Sequence, residues 1–277
     1  MANSGYRPQG VSHKRFMDLI DEPLSMLTPI RGYENQPLVS LEEAVRPLKQ
    51  LIPEIEHMVH IAKDTAEKSP QNRLSLDQSA AIVLYTLEWD SKEESVYYTL
   101  NHSLRQKDRA VLKPWFLYLK LFFSALSLLP STHRTVYRGV RGDLRSAYTE
   151  GKTIVWWGFS SCTSKIDVLK KEDFLGSAGK RTMFTVECLS GKDIQLHSYY
   201  GNENEILLPA ARQFRVESVL PQDDGLTMIQ LQEVQPKFPL VETSDTTSKI
   251  VQPVINPPPG QKIQPVIIQP SNQVFPR

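Results

Sequence analysis

Between residues 40 and 129 the apolar positions recur three and four residues apart, and from Thr135 onward they alternate one by one. The first spacing lines one face of a helix, the second one face of a strand. Leu41, Ala44, Val45 and Leu48 form one stripe, and Ile55, Met58, Val59 and Ala62 a second. Ala80, Val83, Leu84 and Leu87 form a third, and Val96, Leu100 and Leu104 a fourth. Ser40 with Glu43, Ser75 with Gln78 and Ser91 with Glu94 have the spacing of a capping box, in which the two side chains satisfy amides of the first turn. Pro47 and Pro53 divide the first region, Pro114 opens the last helix and Pro130 stops it, because proline brings no amide hydrogen to a helix interior. The alternating half predicts strands over 135–140, 154–163, 181–189, 193–199, 205–210, 213–220 and 227–234. Strands this short and closely spaced form mostly antiparallel sheets, here two packed together. Helices first and strands afterwards make the expected class α+β.

Composition narrows the partners. The net charge is +1, so neither nucleic acid nor an electrostatically bound membrane is expected as a partner. The apolar run over 115–129 contains Lys120 and is shorter than the ~20 residues of a membrane span, so it reads as a buried helix. The opening Met1-Ala2-Asn3-Ser4-Gly5-Tyr6 has no basic flank before an apolar core. With only two cysteines, Cys162 and Cys188, the expectation is a cytoplasmic protein in a reducing compartment. Residues 1–36 read as a flexible N-terminal arm. Residues 37–236 read as one domain, helical over 37–130 and β over 131–236. After Gln235 prolines crowd, with Pro257-Pro258-Pro259, and Val251-Gln252-Pro253-Val254-Ile255 nearly repeats as Ile263-Gln264-Pro265-Val266-Ile267. Residues 237–277 therefore read as a disordered Pro-rich tail; its sharper reading is a ligand for a polyproline-binding partner.

Three stretches carry candidate chemistry. In Thr135-Val136-Tyr137-Arg138-Gly139-Val140, alternation puts Arg138 on the apolar side with Val136 and Val140. A guanidinium there needs an anion, either a phosphate or carboxylate ligand or a core acid, and Gly139 lets a ligand approach the backbone. In Trp157-Gly158-Phe159-Ser160-Ser161-Cys162-Thr163-Ser164, Ser161 and Thr163 share a face suited to a polyhydroxyl ligand or to ordinary strand pairing. No G-x-S-x-G elbow surrounds these serines. In Glu203-Asn204-Glu205-Ile206-Leu207-Leu208-Pro209, an extended chain would point Glu203 and Glu205 the same way. Two carboxylates this close repel each other, a disposition suited to proton handling. The cysteines and histidines show no metal-ligand spacing, and no P-loop or G-x-G-x-x-G is present.

Taken in order, these stretches resemble the arginine-specific mono-ADP-ribosyltransferases, the branch marked by arginine, then serine, then E-x-E, and are similar to its vertebrate ectoenzyme group. The resemblance covers roughly residues 40–236. It includes Ala80-Ala81-Ile82-Val83-Leu84-Tyr85-Thr86, like the family's helix ending in Tyr-Thr, and Tyr200-Gly201-Asn202-Glu203-Asn204-Glu205, like its substrate-recognition loop. It implies a helical subdomain beside a split antiparallel β-sandwich with an NAD cleft between them, and transfer of ADP-ribose from NAD to arginine side chains of proteins, with nicotinamide released through an oxocarbenium-like transition state. NAD would be a co-substrate, and no metal is implied. Arg138 would hold the phosphate and nicotinamide ribose, the Gly139 backbone the nicotinamide amide, and Ser161 the ribose and the catalytic carboxylate. Glu205 would stabilise the sugar cation, and Glu203 would hold and help deprotonate the acceptor guanidinium. Tyr85 and Phe174 would contact NAD. The vertebrate ectoenzymes are secreted or lipid-anchored and carry disulfides; with no signal pattern read at residues 1–6, two cysteines and a proline-rich end without a long apolar run, extracellular placement is not carried over as an expectation. Two other readings stand beside the transferase: an NAD glycohydrolase, and a non-catalytic interaction module recruiting partners through its Pro-rich tail.

Overall fold

The computed structural model describes residue 15 and residues 22–69, 73–170, 175–201 and 204–242. Helix α1 (Leu41–Val45) begins behind Ser40, whose hydroxyl accepts from the Glu43 amide, and gives way at Pro47 to a 3-10 turn. Helix α2 (Ile55–Glu67) restarts after Pro53, with Glu54 left-handed at φ 56°. Helix α3 (Leu76–Thr86) has the complete capping box: Ser75 Oγ accepts from the Gln78 amide at 3.2 Å and Gln78 Oε1 from the Ser75 amide at 2.9 Å. Helix α4 (Val96–Leu104) is capped by Ser95 rather than by Ser91. Residues Lys92–Glu94 bury nothing and form a 3-10 turn, whereas Val96 opens the buried face, so packing sets the start four residues later. Helix α5 (Phe116–Leu128) ends before Pro130. The stretch Arg109–Leu128 is apolar and long enough to cross a membrane. Its Trp115, Tyr118, Leu119, Phe122, Ala125 and Leu126 are instead buried against the other helices, as a core helix requires.

Among the described residues one seven-stranded sheet follows: β1 (Ser131–Val140), β2 (Thr153–Trp156), β3 (Ser160–Thr163), β4 (Arg181–Asp193), β5 (Glu205–Leu208), β6 (Arg212–Pro221) and β7 (Leu226–Val234). The order is β1-β3-β5-β4-β7-β6-β2, and β1 also pairs with β4, so β1, β3, β5 and β4 close on themselves. All pairs are antiparallel except β4 with β7. The strands enclose Val136, Cys162, Phe184, Ile206, Leu208 and Phe214, while Trp157, Phe159 and Leu207 belong to the helical core. The class is α+β, with helices packed on one face of a mostly antiparallel sheet. Both cysteines are buried and free, and burial pushes the Cys162 thiol up to about 12.

Three elements differ from expectation. The strand over 154–163 breaks at Trp157-Gly158-Phe159 because side chains take the amides a ladder would use. Glu22 Oε2 accepts from the Trp157 amide and Asn101 Oδ1 from the Phe159 amide, both at 2.8 Å. A Cβ on Gly158 would lie 3.0 Å from Asn101 Oδ1, so glycine eases the close approach of α4. The strand over 193–199 is absent: β4 runs unbroken to Asp193, whose carboxylate takes the Gln195 amide at 3.1 Å and starts a 3-10 turn (Gln195–His197). The loose arm and tail enter the fold at their inner ends. Leu27, Ile30, Tyr33 and Leu240 are buried, and Ile30 bridges Val241 in parallel, with its amide donating to the Leu240 carbonyl at 2.8 Å. These isolated apolar side chains have no period of their own; burial against α5 and the sheet orders them. Residues 243–277, including the polyproline tract, lie outside the described residues.

Candidate active site

Strand register brings the arginine, the serine and the second glutamate together. Tyr137 on β1 lies opposite Thr163 on β3, and Thr163 lies opposite Glu205 on β5. Neighbouring strands are ~4.8 Å apart, so Arg138, Ser161 and Glu205 stand within three adjacent strands. Alternation along β5 sends Ile206 and Leu208 into the sandwich and Leu207 toward the helices. Glu205, two residues from Leu207, shares its side and faces the helical half. All three site residues are buried: Arg138 and Ser161 are 1% exposed and Glu205 is 0%. Arg138 Nη1 donates to the Ser161 carbonyl at 2.5 Å, which ties the arginine to the serine strand.

Glu205 Oε2 accepts from Ser198 Oγ at 3.1 Å, and Ser198 Oγ accepts from the Tyr200 amide at 3.2 Å. The turn after β4 therefore orients the carboxylate. Two oxygens of the expected site residues, Ser161 Oγ and Glu205 Oε1, are buried and have no hydrogen-bond partner among the described residues. A buried unsatisfied oxygen costs about 1–3 kcal/mol. Such atoms on two paired strands are suited to a ligand bearing hydroxyls.

One further side chain enters the same space. Arg15 is 2% exposed. Its Nη2 donates to Glu205 Oε2 at 3.2 Å and its Nη1 to the Thr86 carbonyl at 2.5 Å. Its guanidinium lies 5.1 Å from the Tyr200 ring centroid, and its own carbonyl accepts from Arg138 Nη2 at 3.1 Å. Glu88 Oε1 stands 3.9 Å from Arg15 Nη1, so the buried Arg15 cation faces two carboxylates.

The expected site residues divide in three. Arg138, Ser161 and Glu205 converge. Tyr85, expected at the cofactor, is a core residue instead: it is 1% exposed, stacks on Phe122 and donates to the Phe159 carbonyl at 3.4 Å. It occupies the aromatic interior joining α3 to the loop before β3, while its neighbour Thr86 reaches the crevice. At Gly139 the space a Cβ would fill is taken by Leu175, 3.0 Å away, so the close approach expected of a ligand is made here by the chain. Glu203 and Phe174 lie outside the described residues. The premise that 203–205 is extended does not hold at its centre, because Asn204 is left-handed at φ 51° and β5 begins only at Glu205. Arg15 and Ser198 carry no sequence signal: the carboxylate partner of Arg15 is distant in the chain, and Ser198 sits in a turn without a pattern of its own. Thr86 was marked within the helix ending in Tyr-Thr, and Tyr200 as the aromatic entering the E-x-E loop.

Residues 39–238 match a family model described as NAD:arginine ADP-ribosyltransferase. Over 168 residues the chain is 30% identical to Mav of Mycobacterium avium (strain 104), a protein named as an NAD(+)–arginine ADP-ribosyltransferase; the match covers 59% of this chain and 19% of Mav. The chain thus spans less than a fifth of that relative's length. Its fold is similar to the eukaryotic mono-ADP-ribosyltransferase ART2.2, with TM-score 0.52, 15% identity, and 77% and 98% of the two chains covered. It is also similar to exoenzyme S of Pseudomonas aeruginosa, solved with human 14-3-3 protein beta and carba-NAD, with TM-score 0.50, 22% identity, and 70% and 88% covered.

Proposed function

The chain belongs to the NAD:arginine ADP-ribosyltransferase family, and from that premise we propose that it transfers ADP-ribose from NAD to the guanidinium of arginine side chains in proteins. The observation that carries the proposal is the convergence of Arg138, Ser161 and Glu205 on adjacent strands, with Ser161 Oγ and Glu205 Oε1 without a partner among the described residues. A dinucleotide fits this set. Ribose hydroxyls supply partners for both oxygens, and the planar fork of Arg138 suits a phosphate.

NAD supplies a ribose whose bond to nicotinamide breaks readily. In this reading Arg138 holds the phosphate and the nicotinamide-ribose side. Ser161 orients the ribose. Glu205, fixed by Ser198, lies against the positive charge that grows on the sugar as the glycosidic bond lengthens. A buried, preoriented carboxylate stabilises that charge more than the neutral ground state, and this difference is catalysis. Carboxylate glycosidases use the same principle. Glu203 receives the acceptor guanidinium and draws off its proton, since a protonated guanidinium is no nucleophile.

The test offers NAD and agmatine to the wild type and to Glu205→Gln, separating ADP-ribosyl-agmatine from free ADP-ribose by mass spectrometry. The expected result is modified agmatine from the wild type and a loss on the order of 10²-fold to 10³-fold in the variant. Free ADP-ribose alone would assign the site to hydrolysis. Undiminished transfer by a folded Glu205→Gln protein would remove the assignment.

A further inference from the structure

Arg15 lies outside residues 39–238, which match the family model, yet it touches both Arg138 and Glu205. Its carbonyl holds one arm of the Arg138 fork and its guanidinium one oxygen of Glu205. Thr86 and Tyr200 close around it from the helical half and from the turn after β4. We propose that Arg15 is an internal competitor of the dinucleotide, a plug that must leave before NAD can bind. The inference rests on the assignment of Arg138 and Glu205 to NAD. Given that assignment, seated Arg15 and bound NAD exclude each other, because both require Arg138 Nη2 and the Glu205 carboxylate. Arg15 is not poised as an acceptor in this position, since its guanidinium stands where the sugar must be.

The segment is anchored close by. Glu22 Oε1 accepts from Arg105 Nε at 2.7 Å, and Glu22 Oε2 from the Trp157 amide at 2.8 Å. Its side chain is 9% exposed. Glu22 follows Arg15 closely in the sequence, and a short tether gives an effective concentration of about millimolar. A competitor of this kind lowers the fraction of protein ready for NAD. It raises apparent KM by the inverse of that fraction and leaves the filled site untouched.

The test has a kinetic arm and a labelling arm. Arg15→Ala is expected to lower KM for NAD by about tenfold with kcat unchanged, and Arg15→Lys, which lacks the fork, to fall between the two. Thermal melting checks that each variant is folded. In the labelling arm the wild-type protein without nucleotide is treated with phenylglyoxal and mapped by mass spectrometry. Arg15 is expected to react far more slowly than Arg31, whose side chain is 65% exposed, and to become reactive when NAD is added. Arg15 reacting as fast as Arg31 without nucleotide would overturn the plug whatever the kinetics show. So would equal KM in wild type and Arg15→Ala, or a loss of kcat in the folded variant. If neither form turns over NAD, the transferase reading itself fails and the plug fails with it, an outcome distinct from equal KM in two active forms.

Discussion

At Ser161 stability and function pull apart. Its Oγ is buried without a hydrogen-bond partner among the described residues, so no described residue compensates its desolvation. Ser161→Ala removes that oxygen while keeping the Cα path of β3, and is expected to raise thermal stability by about 1 kcal/mol. The same change should raise KM for NAD, because the ribose loses a partner. Thermal melts and NAD titrations of one preparation check both halves. A variant that melts lower than wild type would mean that Ser161 Oγ already has a partner. Which residues matter was partly legible from their chemical type. An arginine on an apolar strand face and an acid opening an apolar run each call for a partner, and Ser161 shares its face with Thr163. Arg15 was not legible, because its carboxylate partner is 190 positions away and no local pattern encodes such a contact. Tyr85 misled for the opposite reason: its hydroxyl is used, but by the Phe159 carbonyl in the core.

At the scale of elements, the turn after β4 matters most, because it carries Ser198 to Glu205. His197 within it is buried, with Nδ1 2.9 Å from Ser79 Oγ on α3. Burial lowers its pKa from the usual 6.5. The folded protein therefore binds a proton there less readily than the unfolded chain. The stability from neutral His197 is fully present above about pH 6.5 and is lost as pH falls below that toward the lower folded value. One such group gives a slope of at most about 1.4 kcal/mol per pH unit. Urea melts from pH 7.5 to pH 5 should show that decline, and His197→Gln should flatten it; an unchanged slope in the variant would place the proton elsewhere. The helices were legible where cap and apolar stripe agree, as at Ser75. They shifted where packing overrode the cap, as at Ser95. The strand expected over 193–199 failed because alternation cannot reveal an imidazole bonded across to a helix, and the extended 203–205 failed at the left-handed Asn204.

At the scale of the whole molecule, the segments on either side of the family region close on each other through Ile30 and Val241, and Tyr33 Oη donates to the Glu242 carbonyl. Ending the chain after Pro236 removes buried Leu240 and the bonds it shares with Ile30. That should cost about 2–4 kcal/mol and lower the melting temperature by roughly 5–10 °C. Ending it after Glu242 should leave the melting temperature unchanged, since the compact unit reaches only to Thr243. Equal melting of the two truncations would deny the closure. The helices-then-strands order was enough to give the α+β class; the parallel β4–β7 pair and the packing of 27–33 on 240–242 were not legible, because both join segments that carry no mutual pattern. The most direct measurement of the convergence of Arg138, Ser161 and Glu205 on a dinucleotide is a crystal structure with carba-NAD. The predicted result is a nicotinamide ribose hydrogen-bonded to Ser161 Oγ and Glu205 Oε1, with Arg15 displaced from Arg138. A dinucleotide seated elsewhere, with those two oxygens still without partners, would contradict it.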